Sequence, residues 1–372
     1  MNKNVASLLS FEYIFTETKN YRINYMGNFD ALIKIGVLAA VSFLVAISLT
    51  PLFTNFMFRN KWGKQIRADG DTPVFSKLHQ GKKGTPTMGG VLIWFTTIFL
   101  ALLFWFLDRI LHLDFFHSFN FLTRQQTLLP LGALAAAALL GLVDDYFGVK
   151  GVGAKGGGLR MRYRLILYTL VAGVGAYWFY SKLGFNILHI PGFGNFEIGL
   201  WYIPLFMFVV VATSFSVNET DGLDGLAGGV LAIAFFSYGL IAYLQGRFEL
   251  ATLAASLGGG LLAFLWFNIY PARFFMGDTG AMSLGTVLAV MAFLTNSVAV
   301  LPLVGLVLVL ESGSVILQVI SRRLFGKKVF LSSPLHHHFE ALGWPETKVT
   351  MRFWVIAAVA AFIGVAVNLI SR

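Results

Sequence analysis

ALIKIGVLAAVSFLVAISLTPL, residues 31–52, is an apolar run whose only charged side chain is Lys34. A helix of ~20 such residues rises far enough to cross the hydrocarbon core of a bilayer. Working outward, runs of the same kind recur near 87–107, 126–143, 164–182, 200–217, 225–244, 250–268, 280–296, 298–319 and 351–370. About ten spans therefore predict an all-α integral membrane protein, a single polytopic transmembrane domain over residues 1–372 that includes a polar N-terminal extension, 1–30. Composition agrees. Hydrophobic residues make up 57% of the chain and charged residues 12%, about half the charge a water-facing surface carries. The polar start is unlike a short apolar leader ending in a small-residue cleavage site, so the first run is expected to act as an uncleaved anchor.

Cysteine is absent, which excludes a disulfide framework and a thiolate metal site. The net charge of +10 resembles a nucleic-acid footprint until its distribution is followed. Arg59, Lys61, Lys64, Arg67, Lys77, Lys82 and Lys83 lie in segment 53–86, and Lys150, Lys155, Arg160, Arg162 and Arg164 in 144–164. Arg273 follows the seventh run, and Arg322, Arg323, Lys327, Lys328, Lys348 and Arg352 lie in 321–352. These are alternate loops. The positive-inside rule puts them in the cytoplasm and both termini on the periplasmic side. The charge is topological, and no nucleic-acid partner is expected. Segment 183–199, with Pro191, Gly192, Gly194 and Asn195 between short apolar stretches, predicts a small outer hairpin. No internal repeat suggests an inverted-repeat transporter.

With that topology the polar motifs fall on one face. Asp144 and Asp145 end the third span in GLVDDYFGVKG, and Asn218, Asp221 and Asp224 sit in SVNETDGLDGLAGG. Asp278 lies in FFMGDTG, His336, His337 and His338 in SPLHHHFE, and Lys82, Lys83, Thr85 and Thr87 in GKKGTPTMGG. Each has a plain structural reading, since an aspartate at a helix end is often only a cap. Together they say more. Carboxylates gathered at a membrane surface repel one another, and a divalent cation relieves the conflict. Oxygen-only ligands select a hard ion, Mg²⁺, which uses one or two carboxylates plus substrate phosphates. Nearby lysines suit phosphate oxygens. Carboxylates, a hard metal and lysines are what phosphoryl transfer needs.

Three consecutive histidines on a helix fan out by ~100° each and cannot converge on one zinc ion. They are expected either to bind a diphosphate or to hold their loop. Glu311 is the one acid deep inside a span, a functional candidate or a partner for a neighbouring helix.

The runs TPTMGG (85–90), DDYFGV (144–149), NETDGLDGLAGG (218–229), FLWFNIYPARFFMGDTG (264–280) and PLHHHFEALGWPETKVTMRFW (334–354) resemble the phospho-N-acetylmuramoyl-pentapeptide transferase family. The aspartate motifs are shared with the wider polyprenyl-phosphate N-acetylhexosamine-1-phosphate transferase superfamily, whereas TPTMGG and HHHFE are particular to the muramoyl branch. The resemblance implies ten transmembrane helices, a homodimer, residence in the bacterial cytoplasmic (inner) membrane and Mg²⁺ as cofactor. It implies UDP-MurNAc-pentapeptide and undecaprenyl phosphate as substrates, with lipid I and UMP as products.

Carried onto this chain, the resemblance makes Asp278 the foremost metal ligand, with Asp144, Asp145 and Asp221 also in the metal set. Asp144 and Asp145 would meet the metal and the lipid phosphate, Asp144 as general base. Asn218, Asp221, Asp224, Asn268, Lys82, Thr85, Thr87 and Phe275 would line the nucleotide side, Phe275 near uracil. His336, His337 and His338 would lie by the diphosphate. One departure stands out: the family reads N-L-T-D-G where this chain has Asn218-Glu219-Thr220-Asp221-Gly222. The rival within the superfamily is a UDP-GlcNAc:polyprenyl-phosphate GlcNAc-1-phosphate transferase. From another class, a secondary transporter of an anionic metabolite would place its ionisable groups near mid-membrane, where only Glu311 lies.

Overall fold

The computed structural model describes residues 3–63, 82, 84–124, 126–153 and 157–371, with side chains from Asp30 onward. Lys64, Arg67, Lys77, Lys83 and Lys155 lie outside the described residues. The chain is almost wholly helical. In order the helices are α1 (Lys3–Arg59), α2 (Gly90–Leu111), the short α3 (Asp114–Phe119), α4 (Leu128–Lys150) and α5 (Met161–Tyr177). Then come α6 (Tyr202–Thr220), α7 (Leu226–Leu244), α8 (Phe248–Asn268), α9 (Gly277–Leu294), α10 (Leu301–Val304), α11 (Leu306–Phe325), α12 (Leu335–Ala341) and α13 (Glu346–Ile370).

Among the described residues eight helices are long and apolar enough to cross a membrane, or nine with the bent pair that includes α10 and α11. The expected continuous span at 298–319 is instead broken: Val298–Val304 and Leu306–Phe325 meet at 82°. Gly305 between them leaves the helical region (φ −101°, ψ 31°), and Pro302 restarts the short α10. The expected span at 164–182 appears as α5, only 17 residues long, continued by a π-helical turn, Trp178–Lys182. Arg162 and Arg164 in its first turn shorten its apolar length. The polar extension is not separate from the first span either, because helical backbone runs unbroken from Lys3.

The centre of the bundle is α9, nearly every residue of which is buried. It packs on α4, α6 and α2, while α1 and α7 pack on α8. Lipid tails are as apolar as leucine, so helices in a bilayer are held less by apolar transfer than by close packing of small residues. Gly141 of α4 shows how close. A Cβ there would lie 2.5 Å from the carbonyl oxygen of Asp278, so any side chain would push the start of α9 away.

The hairpin expected at 183–199 forms as its turn residues predict. Strand β1 (Ile187–Ile190) pairs antiparallel with β2 (Gly194–Glu197), Ile187 facing Glu197 and Ile190 facing Gly194. Gly192 in the turn takes φ +79°. His189 reaches Ser371 just past the end of α13 (Nε2···Oγ 3.2 Å). Because α13 has 25 residues, it separates the hairpin from Glu346 at its other end by about 37 Å. Glu346 lies among the aspartate motifs.

Candidate active site

Asp278 is in the first turn of α9, and its position is set by its neighbour in the DDY motif. Both oxygens of Asp145 accept backbone amides at that helix start, from Asp278 N (3.0 Å) and Thr279 N (2.9 Å). The first amides of a helix lack intrahelical partners and carry its positive end, so a carboxylate there is favoured twice. The preceding Gly277 has φ +74°, and a Cβ on it would lie 2.6 Å from Asp145 Oδ2 and 2.8 Å from Thr87 Oγ1. Only glycine lets the chain turn against that carboxylate. Asp145, expected on the metal and lipid phosphate, is thus engaged as the cap that holds Asp278 in place.

Asp144, one residue earlier, points elsewhere. It is buried, accepts a hydrogen bond from Leu159 N, and pairs with Arg164 (Nε–Oδ2 2.8 Å). The same guanidinium reaches Asp278 (NH1–Oδ2 2.7 Å). The other oxygen of Asp278 accepts Asn218 Nδ2 at 2.7 Å. Two carboxylates from α4 and α9 therefore face one cationic group supplied by α5. From the sequence Arg164 reads only as a topological charge. The one hint of more was an arginine placed inside the start of an apolar run, where charge is costly unless paired.

A second cluster stands beside the first. Lys82 Nζ lies 2.6 Å from Asp224 Oδ1 and 2.5 Å from Glu346 Oε1, and 5.9 Å from the Phe275 ring centroid. Asp224 Oδ2 accepts Ala272 N at 2.9 Å, and Asp224 N donates to Glu346 Oε1 at 2.6 Å. Asn268 is buried with its amide committed to backbone: Oδ1 accepts Gly225 N (2.9 Å) and Nδ2 donates to Phe274 O (2.8 Å). It ties the 221–225 turn to the approach of α9. Phe275 is half-buried, its amide on Pro86 O (2.8 Å). Thr85 donates its amide to Lys82 O, and the buried Thr87 donates its amide to Trp62 O. Asp221 caps the C-terminus of α6 and is half-buried.

The three histidines take three separate partners. His336 is fully buried, with Nδ1 3.0 Å from Glu311 Oε2, so the intramembrane acid pairs with the helix across from it. Its Nε2 abuts Gly222 so closely that a Cβ at 222 would overlap the ring. His337 Nδ1 lies 2.8 Å from Glu340 Oε2, and His338 Nδ1 accepts Leu331 N at 3.2 Å. The rings hold α12 against the 218–225 turn and the 326–334 loop.

All five motifs are thereby brought to one end of the bundle. The four aspartates expected as a metal set do not group as one cage: Asp144 and Asp278 face one cation, Asp145 accepts helix-start amides, and Asp221 stands at the C-terminal end of α6. Among the described residues no three His, Asp or Glu side chains group as a metal cage. Mg²⁺ needs only one or two protein carboxylates when phosphates and water complete its shell. The oxygen-only pair of Asp144 and Asp278, already converging on a positive group, fits such an ion.

A family model described as Glycosyl transferase family 4 matches residues 127–296, which hold Asp144, Arg164, Asn218, Asp224 and Asp278. The phospho-N-acetylmuramoyl-pentapeptide-transferase signature 1 matches residues 82–93. The phospho-N-acetylmuramoyl-pentapeptide-transferase of Geobacillus sp. (strain WCH70) is 40% identical over 339 residues, 90% of this chain and 98% of its own length. That of Chloroflexus aggregans (strain MD-66 / DSM 9485) is 38% identical over 347 residues, 90% of this chain and 89% of its own.

Proposed function

The chain belongs to the phospho-N-acetylmuramoyl-pentapeptide-transferase family, and from that premise we propose a mechanism centred on Asp144, Arg164 and Asp278. It is a multi-pass protein of the bacterial inner membrane and transfers phospho-MurNAc-pentapeptide from UDP-MurNAc-pentapeptide to undecaprenyl phosphate, giving lipid I and UMP. The site faces the cytoplasm, as the basic loops around it favour.

An oxygen of the lipid phosphate attacks the β-phosphorus, the one bearing the sugar. A new P–O bond forms to that phosphorus as its bond to the bridging oxygen breaks, and UMP departs with the bridging electrons. Asp144 accepts the proton if the lipid phosphate still carries one, although a phosphate monoester loses its second proton with a pKa near ~6. Mg²⁺ held by Asp278 and Asp144 would neutralise charge on the diphosphate. Arg164 presents a fork of donors suited to phosphate oxygens. Asn218 orients the Asp278 carboxylate, and Asp145 fixes the helix end on which it stands.

The observation that carries this reading is the convergence of Asp144 and Asp278 on one cationic group. The test offers UDP-MurNAc-pentapeptide or UDP-GlcNAc to the purified protein with undecaprenyl phosphate, across a Mg²⁺ titration. We expect lipid product and UMP from the muramoyl substrate only, and no turnover once EDTA removes the metal. Product from UDP-GlcNAc alone would sink the substrate assignment, and full activity in EDTA would sink the metal. Release of UMP without lipid acceptor would point instead to attack by an aspartate first.

A further inference from the structure

Resting on UDP-MurNAc-pentapeptide as the substrate, we infer that Glu346 is a positioning residue for the nucleotide side of the site, acting through Lys82 and Asp224. Glu346 falls in the run 334–354, but the resemblance gives it no role in the chemistry. It opens α13, directly after Pro345, where an acid already complements the positive end of the helix. That role alone would leave its side chain at the surface. Instead one oxygen, Oε1, accepts both Lys82 Nζ (2.5 Å) and the backbone amide of Asp224 (2.6 Å). Three segments far apart in sequence meet at that atom: the loop before α2, the turn between α6 and α7, and the last helix.

The charges explain what is held. Lys82 faces two carboxylates, Asp224 and Glu346, so it is fixed between them and is not a freely swinging cation. Asp224 in turn anchors Ala272, three residues before Phe275. Lys82 stands over the Phe275 ring, where an ammonium is drawn to the aromatic face. Removing the Glu346 carboxylate would free one side of Lys82 and release the amide that fixes the Asp224 turn. The helix-end triad of Asp144, Arg164 and Asp278 shares no hydrogen bond with Glu346. Loss of Glu346 should therefore disturb binding of the nucleotide more than the transfer step.

Kinetics on the full-length enzyme separate the possibilities. For Glu346→Ala we expect KM for the nucleotide sugar to rise on the order of tenfold with kcat held within about threefold. Lys82→Ala should raise KM as well, and the double variant should fall well short of the product of the two single effects, because the Lys82–Glu346 contact is shared while the Asp224 amide rests on Glu346 alone. Glu346→Gln keeps an acceptor for the Asp224 amide and should fall between wild type and Glu346→Ala. It also serves as the variant to read if the alanine protein does not fold. A fall in kcat at constant KM, or effects that multiply in the double variant, would overturn the inference. If the wild type turns over only UDP-GlcNAc, the muramoyl reading fails, and the same KM comparison is made with that nucleotide sugar.

Discussion

Two neighbouring regions of the site hold a cation between two carboxylates, and they do so with different chemistry. Arg164 uses separate arms of its guanidinium, Nε toward Asp144 and NH1 toward Asp278. Lys82 uses a single atom, Nζ, toward Asp224 and Glu346. In the lysine cluster the carboxylate oxygens also accept Ala272 N and Asp224 N, so the cluster closes loops onto one another. In the arginine cluster both Oδ2 atoms are turned toward the cation, and the carboxylates stand on helices from the bundle's centre. The contrast teaches that equal charge stoichiometry does not mean equal function. Both clusters also accept backbone amides, Leu159 N at Asp144 and Ala272 N at Asp224. In the lysine cluster, however, a single oxygen, Glu346 Oε1, joins three distant segments, whereas in the arginine cluster the fork of Arg164 joins the ends of two central helices.

The largest expected break in that comparison is Asp278→Ala. Turnover should fall by roughly three orders of magnitude, as when a main electrostatic stabiliser is lost, while the thermal midpoint in detergent stays close to wild type. Normal turnover and metal dependence in this variant would remove the arginine cluster from the reaction.

Arg164→Ala should cost less, on the order of 100-fold in turnover. Because Arg164 competes for the same two oxygens, its loss should also lower the Mg²⁺ concentration at half-maximal rate. Arg164→Lys should restore little, since one ammonium cannot fork between two carboxylates. An unchanged Mg²⁺ dependence would show that metal and arginine use different oxygens.

The smallest effect sharpens the split between adjacent aspartates. Asp145→Ala removes the acceptor for two helix-start amides and should lower stability by about 1–2 kcal/mol, read as a lowered thermal midpoint. A midpoint equal to wild type would mean that Asp145 does not hold α9.

How much of this was legible in the sequence differs by feature. Asp278 and Asp144 could be singled out because acids bordering apolar runs are few and chemically expensive. Their division of labour with Asp145 could not, since one residue of helical rotation decides whether a side chain meets an arginine or a helix end. Arg164 was hidden by its distance along the chain, and Gly158, whose amide donates to Val152 O at 2.9 Å, marks the return of the chain toward Asp144. Glu346 reads as an ordinary first-turn acid, and only the approach of Lys82 and the Asp224 turn gives it a role. The kink at Gly305 was equally silent, because a glycine inside an apolar run reads the same in a straight helix as in a broken one.

That the chain crosses a membrane many times is legible without any structure, because hydropathy is a property of each segment and needs no partner. The hairpin is legible in the same way, through local turn chemistry at Pro191 and Gly192, and so is the family, through motifs met in order. Which carboxylates face a cation, which cap a helix and which lock loops together emerges only once the chain is folded. Those roles depend on angstrom-scale approach between segments distant in the chain, such as Gly141 against Asp278 and Glu346 against Lys82, and no local pattern encodes them.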